Sequence, residues 1–584
     1  MHRLRAIFAG IVRSMPRALV ALVLSGLPGA SLAAQTWQSQ VDYTKLQQRL
    51  GSSLPTGAGG VISQVEAGLG SSAAYYVDAS SPEFDGSQDP TNTPVTFTDG
   101  SFMASKGVSG HATNTVGARM YGDTESLAPG ANNVVLYEAN HWLSNIVRYS
   151  SSMPPDAQNY RVQNHSWVGT LATGDPPPQP FVEHPNNVKV LQRFDYMVET
   201  ANGGQGMTAV VGLNNSTNPI PYLLSHSYNA IGVGKTDGFH SSGLTLSPPT
   251  ASYGPGRSKP DIVAPLSSTS AATAAVSSAA TLLYDAVEGT ADASNNEVIK
   301  SMLLAGATKN EFPTWSRTAA QPLDDTYGAG ELNIYNSYLI QLGGRHAGTT
   351  NAPTSAAPSY GWDYQDHKSS PSTGDIFYNF EVPAGSTAQE LSVALSWNAE
   401  VTDADAGTGF APSHSLQNLD LRFYDSNGTF MGSLLDQSTS AVDNVEHLYF
   451  TDLAAGTYTL KVSNAAGWDY GLAWRTKTQF NLFSGDFNGD GAVDGADFLT
   501  WQRNLGTLLG ATASEGDADG DGDVDAEDLG VWRAGIIAAP PAAVAGLVGV
   551  PEPATGLLAA AGLGALFLGA RRVRGGNRRD SFRR

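Results

Sequence analysis

Between Lys259 and Ala280 the chain reads K-P-D-I-V-A-P-L-S-S-T-S-A-A-T-A-A-V-S-S-A-A, and no other stretch constrains the fold as tightly. Ile262 and Val263 read as a buried apolar strand. A short loop follows, then a helix of almost uniformly small residues that opens at Thr269-Ser270. Read structurally, Ser270 belongs to the start of an Ala-rich core helix, where serine caps well. Read chemically, a hydroxyl on the first helical turn sits among unpaired backbone N–H groups at the positive end of the macrodipole. A nucleophilic serine gains from that position, because the same N–H groups stabilise an oxyanion.

The stretch resembles the nucleophile segment of subtilisin-like serine proteases (subtilases), P-D-I-x-A-P-G followed by G-T-S-M-A-x-P. Ser270 falls on the nucleophile, while Ser268 stands for the Gly and Ala274 for the Pro. The resemblance implies a base, an acid and an oxyanion donor upstream. Gly110-His111-Ala112-Thr113-Asn114-Thr115-Val116-Gly117 is similar to the family's H-G-T-H-V-A-G, which makes His111 the implied general base. Ala128-Pro129-Gly130-Ala131 follows, as in V-A-P-G-A. Thr208-Ala209-Val210-Val211-Gly212-Leu213-Asn214-Asn215 is similar to V-V-A-A-G-N and puts Asn214 at the oxyanion donor, with Asn215 one register away. Val162-Gln163-Asn164-His165-Ser166-Trp167 resembles the strand whose end pairs with extended substrate. Tyr327-Gly328-Ala329-Gly330-Glu331-Leu332-Asn333 matches the Y-G-x-G-x-x-N that closes the domain. The matches run in order through residues 60–335.

The acid departs from the pattern. Where the family has V-A-V-I-D-T-G, this chain has Gly60-Val61-Ile62-Ser63-Gln64-Val65-Glu66-Ala67-Gly68. A triad acid accepts from imidazole Nδ1–H, fixes the tautomer and stabilises the imidazolium, and Glu can do each of these. Glu66 is therefore the expected acid, with Asp78 and Asp99 as fallbacks.

Absence of cysteine excludes disulfides, zinc–thiolate sites and a thiol nucleophile. The net charge of −21 argues against general nucleic-acid affinity, and about half of it lies in residues 484–530. Residues 1–33 have the early arginines, apolar run Ala18–Leu24 and small-residue end of a secretory signal peptide. At the other end, Pro551-Glu552-Pro553, the apolar run Ala554–Ala570 and seven arginines resemble the bacterial PEP-CTERM sorting signal, residues 550–584. That resemblance implies a transient membrane anchor processed by an exosortase-type enzyme, with the body left at the cell surface or outside the cell.

Between the ends, residues 36–345 are expected to form an α/β domain, a subtilisin-like, mostly parallel sheet with flanking helices. From Asp375 the pattern changes to period two, as in Leu391–Trp397 and Tyr458–Val462, which predicts a β-sandwich over 346–480 similar to the domains that trail secreted peptidases. Its default role is stabilisation or spacing. Residues 484–534 carry a duplicated twelve-residue loop. Asp486, Asn488, Asp490, Asp494 and Asp497 take positions one, three, five, nine and twelve, and Asp517, Asp519, Asp521, Asp525 and Asp528 repeat them. Alternating oxygen ligands around a glycine at position six suit Ca²⁺. The pair resembles a dockerin and implies a structural Ca²⁺ module. A cohesin partner is implied more weakly, since Gly495-Ala496 and Ala526-Glu527 replace the usual Ser/Thr pairs.

Together these readings predict an exported serine endopeptidase that cleaves a polypeptide substrate through Ser270, His111, Glu66 and Asn214. Its alternative is a catalytically inactive fold used for surface binding or display, favoured by the departures at Glu66, Ala112, Ser268 and Ala274.

Overall fold

The computed structural model describes residues 36–538 apart from 69–73, 89–91, 104–105, 172–184, 246–255, 368–373, 406–408, 465–466, 481–484, 489–491 and 521. The segments read as a signal peptide and a sorting signal, together with Asp490 and Asp521, lie outside the described residues. No helix among the described residues is long and apolar enough to cross a membrane.

Seven short strands, β1 (Ile62–Glu66), β2 (Thr96–Asp99), β3 (Asn133–Glu138), β4 (Val162–His165), β5 (Thr208–Gly212), β6 (Ile231–Lys235) and β7 (Ile262–Ala264), form one sheet in the order β7-β6-β5-β4-β1-β3-β2. All neighbours are parallel. Helices cover such sheets on both faces, which is why β1, β5, β6 and β7 are buried along their whole length. Strand order turns at β1: β3 and β2 lie to one side and β4 to β7 to the other. The crevice at the carboxyl ends beside such a switch point is where open α/β sheets place their sites.

Helix α1 (Tyr43–Leu50) buries Tyr43 and Leu46. Helix α2 (Thr269–Ala286) packs against β4, β5 and β6. Its small residues allow close approach, and its hydroxyls satisfy themselves. Thr273 donates to the Thr269 carbonyl, Ser277 to Thr273 and Thr281 to Ser277, at 2.7, 2.8 and 2.8 Å. This i−4 pattern lets a Ser/Thr-rich helix be buried without orphaned polar groups.

The predicted Y-G-x-G closure has a steric reason. Gly328 and Gly330 have φ of +59° and +123°, and a Cβ on either would come within 2.4 Å of Asp261 or 2.2 Å of the Thr308 carbonyl. Glycine is required at both.

The period-two region forms a six-stranded antiparallel sheet from β8 (Tyr360–Gln365), β9 (Gly374–Ser396), β10 (Asp420–Asp425), β11 (Leu434–Ser438), β12 (Val445–Asn464) and β13 (Tyr470–Phe480), in the order β8-β13-β9-β12-β10-β11. Strands β9 and β12 pair along both halves, with a register shift between Val382 and Thr387. Residues before and after that irregularity share one core: Ile376, Tyr378 and Phe380 join Leu391, Val393, Leu395 and Trp474. The sandwich-like core is thus built by one sheet that folds over at the irregularity.

This region packs on the α/β body. Helix α3 (Asn296–Gly306) is buried at every residue and packs against β9 and β13. Ser301 donates to the Gly471 carbonyl at 2.9 Å, Ser396 to Glu297 O at 2.8 Å and Arg475 Nε to Ala305 O at 2.9 Å. A Cβ at Gly471 would meet the Glu297 backbone at 2.5 Å. These contacts tie the antiparallel sheet to the helix of the α/β body.

Candidate active site

Glu66 is the last residue of β1, and its side chain is buried. Its Oε2 lies 2.8 Å from Nδ1 of His111. Gln64, two residues earlier, shares its strand face and donates from Nε2 to Glu66 Oε1 at 2.9 Å. His111 opens a wide π-helical turn, His111–Gly117, that continues into Ala118–Tyr121. A Cβ at the closing Gly117 would meet Tyr121 Oη at 2.8 Å and Ala112 O at 2.9 Å, which accounts for glycine there. The hydrogen bond that His111 Nδ1–H donates to Glu66, helped by the carboxylate charge, holds the His111 pKa above the ordinary histidine value, while burial opposes it. The fallback acids are engaged elsewhere: Asp78 accepts from the Ser80 hydroxyl and amide, and Asp99 from Tyr75 Oη.

Ser270 lies on the first turn of α2, half-buried. The helix it opens packs against the π-helical turn of His111. Its Oγ donates to the Ser166 carbonyl at 3.2 Å, and Ser166 Oγ returns a bond to Ser270 O at 3.0 Å. Ser166 is held in turn through Asn164 Oδ1, and Asn164 Nδ2 bonds Ser277 Oγ on α2. Strand β4 and helix α2 are thereby tied together. Ser268, standing for the family's Gly, is the N-cap and accepts from Ala271 N, while Ala274 is fully buried in the helix. Ala112 likewise fits, with its N–H on Ser109 Oγ.

The two asparagines after β5 have different tasks. Asn215 Oδ1 accepts from Thr269 N at 2.7 Å and so helps cap helix α2. The Asn214 backbone is fixed on both sides by Ser241, at 2.9 and 3.1 Å, while its half-buried carboxamide has no hydrogen-bond partner among the described residues. The Ser270 N–H is also unpartnered among the described residues. An amide and a helix-terminal N–H are the donors an oxyanion needs.

Reading the motifs alone misses Gln64, Tyr121 and Ser166. Period two was the available signal for Gln64: Ile62, Gln64 and Glu66 share a face, so a polar residue beside the acid was legible.

The paired loops are built alike. Asp497 accepts from the amides of Phe487, Asn488 and Asp494, and Asp528 from those of Ala518, Asp519 and Asp525. Helices α4 (Gly495–Asn504) and α5 (Ala526–Ala538) follow them. Trp501 Nε1 donates to Asp525 O and Trp532 Nε1 to Asp494 O, so each helix ties down the opposite loop. Carboxylate oxygens of Asp517, Asp519 and Asp528 lie within 4.8 Å of one another, as do those of Asp523, Asp525 and Asp528. Such a converging set of hard oxygens fits Ca²⁺. The second loop also rests on the α/β body: Arg49 pairs with Asp523 at 2.6 Å and Asp525 at 3.0 Å, and Tyr335 Oη donates to Asp523 at 2.7 Å.

Comparison with known proteins gives two family matches, both near the C-terminus. The dockerin type I domain matches residues 484–531, and the PEP-CTERM protein-sorting motif matches 549–574. Both resemblances read from the sequence are thus met. Solved structures similar to the chain include tripeptidyl peptidase 2, with a TM-score of 0.27 and 11% identity over 63% of this chain and 40% of that one. Another is the patellamide maturation protease PatA, with a TM-score of 0.29 and 16% identity over 48% of this chain and 97% of that one. The chain therefore spans less than half the length of tripeptidyl peptidase 2. No protein of curated function matches it.

Proposed function

We propose that the chain is an exported serine endopeptidase of the subtilisin-like type, working through Ser270, His111 and Glu66. The observation that carries this reading is the 2.8 Å contact of Glu66 with His111 Nδ1, on a helix packed against the one that Ser270 opens. Glu66 would keep the proton on Nδ1, leaving Nε2 to take the Ser270 proton. Proton transfer would require Ser270 Oγ to leave the Ser166 carbonyl, to which it donates at 3.2 Å. Its attack on the substrate carbonyl forms the acyl-enzyme, His111 returns the proton to the leaving amine, and water then releases the acid. The Asn214 amide and the Ser270 N–H would hold the oxyanion.

Asn214→Ala is expected to lower kcat by about 10²–10³-fold with little change in KM. Asn215→Ala should instead spare turnover and cost about 1 kcal/mol of stability through the lost cap. Steady-state kinetics and thermal unfolding of both variants check this; a larger kcat loss at Asn215 would reverse the assignment.

Calcium would be held by both loops, Asp486, Asn488, Asp490, Asp494 and Asp497 in one and Asp517, Asp519, Asp521, Asp525 and Asp528 in the other. The distance in sequence suggests that peptidase activity is less sensitive to this ion than the module itself. Arg49 argues otherwise, because it joins the body to the second loop. Chelation should therefore lower the unfolding temperature of the whole chain, and Ca²⁺ should restore it by binding the folded state alone. Calorimetry with EDTA, then Ca²⁺, tests this; Arg49→Ala should confine the loss to the module. A thermogram blind to Ca²⁺ would remove the ion from the account.

The dockerin and PEP-CTERM matches support export, exosortase-type processing and a cohesin-like partner. Mass spectrometry of the mature chain from its host should find neither residues 1–33 nor the tail from Arg571. Intact tail peptides on most surface molecules would indicate a permanent anchor instead.

A further inference from the structure

We propose that Gln64 and Tyr121 are positioning residues that make glutamate serviceable as the triad acid; this rests on the endopeptidase reading above. A glutamate has one more rotatable bond than an aspartate, so its carboxylate needs an additional restraint to stay against one ring nitrogen. Gln64 supplies it. Its Nε2 has two hydrogens and meets two acceptors, Glu66 Oε1 at 2.9 Å and Ala112 O at 3.0 Å. Its Oε1 accepts from Tyr121 Oη at 2.6 Å. All three groups are buried.

Only one orientation of the amide satisfies this set. Turned over, its oxygen would face a carboxylate and a carbonyl, and its nitrogen would face a hydroxyl that has no other hydrogen-bond partner among the described residues. Tyr121 therefore sets the amide, and the amide sets the acid. Ala112 is the residue after His111, so the one side chain holds both the acid and the backbone of the base. Tyr121 ends the same helical segment, and the chain Tyr121–Gln64–Glu66–His111 closes on itself through that segment.

The test uses full-length protein with Gln64→Met, which keeps length and removes both hydrogen-bonding ends, and Tyr121→Phe, which removes one hydroxyl. Positioning predicts that Gln64→Met lowers kcat by about 10- to 100-fold with KM unchanged, the scale of a small misplacement of a catalytic group. It also predicts that the His111 titration, followed by NMR and assigned with His111→Asn, moves down toward the ordinary histidine value. Tyr121→Phe should shift both in the same direction by less, and it serves where Gln64→Met fails to fold. In a Glu66→Gln background, Gln64→Met should cost nothing further, because its effect passes through the acid. Unchanged kcat and His111 titration in Tyr121→Phe and Gln64→Met would overturn the proposal, as would losses that multiply with Glu66→Gln. The NMR readout needs no turnover, so an inactive wild type would defeat the endopeptidase reading while leaving this one measurable.

Discussion

Ser270→Ala should lower kcat by about 10⁶-fold and leave KM nearly unchanged. No neighbouring hydroxyl can replace it. Thr269 Oγ1 donates to Leu213 O at 2.5 Å, and Ser268 Oγ caps the helix through Ala271 N. The variant should fold normally, since Ser270 is half-buried at a helix start where alanine is tolerated, and its Oγ makes only the 3.2 Å bond to Ser166 O. Residual catalysis of about 10³-fold over water, from the oxyanion donors and substrate binding, should remain. Peptide hydrolysis by wild type and variant, at matched thermal stability, checks it.

Glu66→Gln is the second large effect. A glutamine offers an amide to one side and leaves His111 without its anionic partner, so the ring can take the wrong tautomer and its cation loses support. The expected loss is about 10⁴-fold in kcat. The pH profile carries the sign. Because Glu66 raises the His111 pKa, and the base must be neutral to act, activity in the wild type should fall as pH drops through a value above that of an ordinary histidine. In Glu66→Gln that limb should move down, leaving a slower enzyme that is active to lower pH. Turnover and limb both unchanged would remove Glu66 from the triad.

Much of the α/β body was legible because its signals are local. The apolar Ile262–Val263 and the small-residue helix after it are a buried strand and a buried helix. His111 and Glu66, apart in sequence, were brought together on motif order alone, and they meet at 2.8 Å. The motif put Asn214 at the oxyanion donor with Asn215 one register away, because adjacent residues of one type differ only in what surrounds them. In the structure the Asn215 carboxamide oxygen accepts from Thr269 N.

Long-range packing was the other blind spot. Period two predicted strands at Ile376–Val382, Leu391–Trp397, Leu419–Phe423 and Tyr458–Val462, which fall in or at the ends of β9, β10 and β12. It said nothing of the docking of β9 and β13 on α3, which depends on Gly471, Ser301 and Arg475. The calcium loops were legible through their repeated spacing. Their seat on Arg49 was not, because an arginine on an N-terminal helix carries no mark of a partner so far along the chain.

The central claim is that Ser270 is an activated nucleophile, and a fluorophosphonate probe tests it most directly. Purified full-length protein treated with the probe should be modified at one site, identified by peptide mapping as Ser270, and Ser270→Ala and His111→Ala should both resist. Well-folded wild type that stays unlabelled, or that is labelled at another residue, would contradict the account.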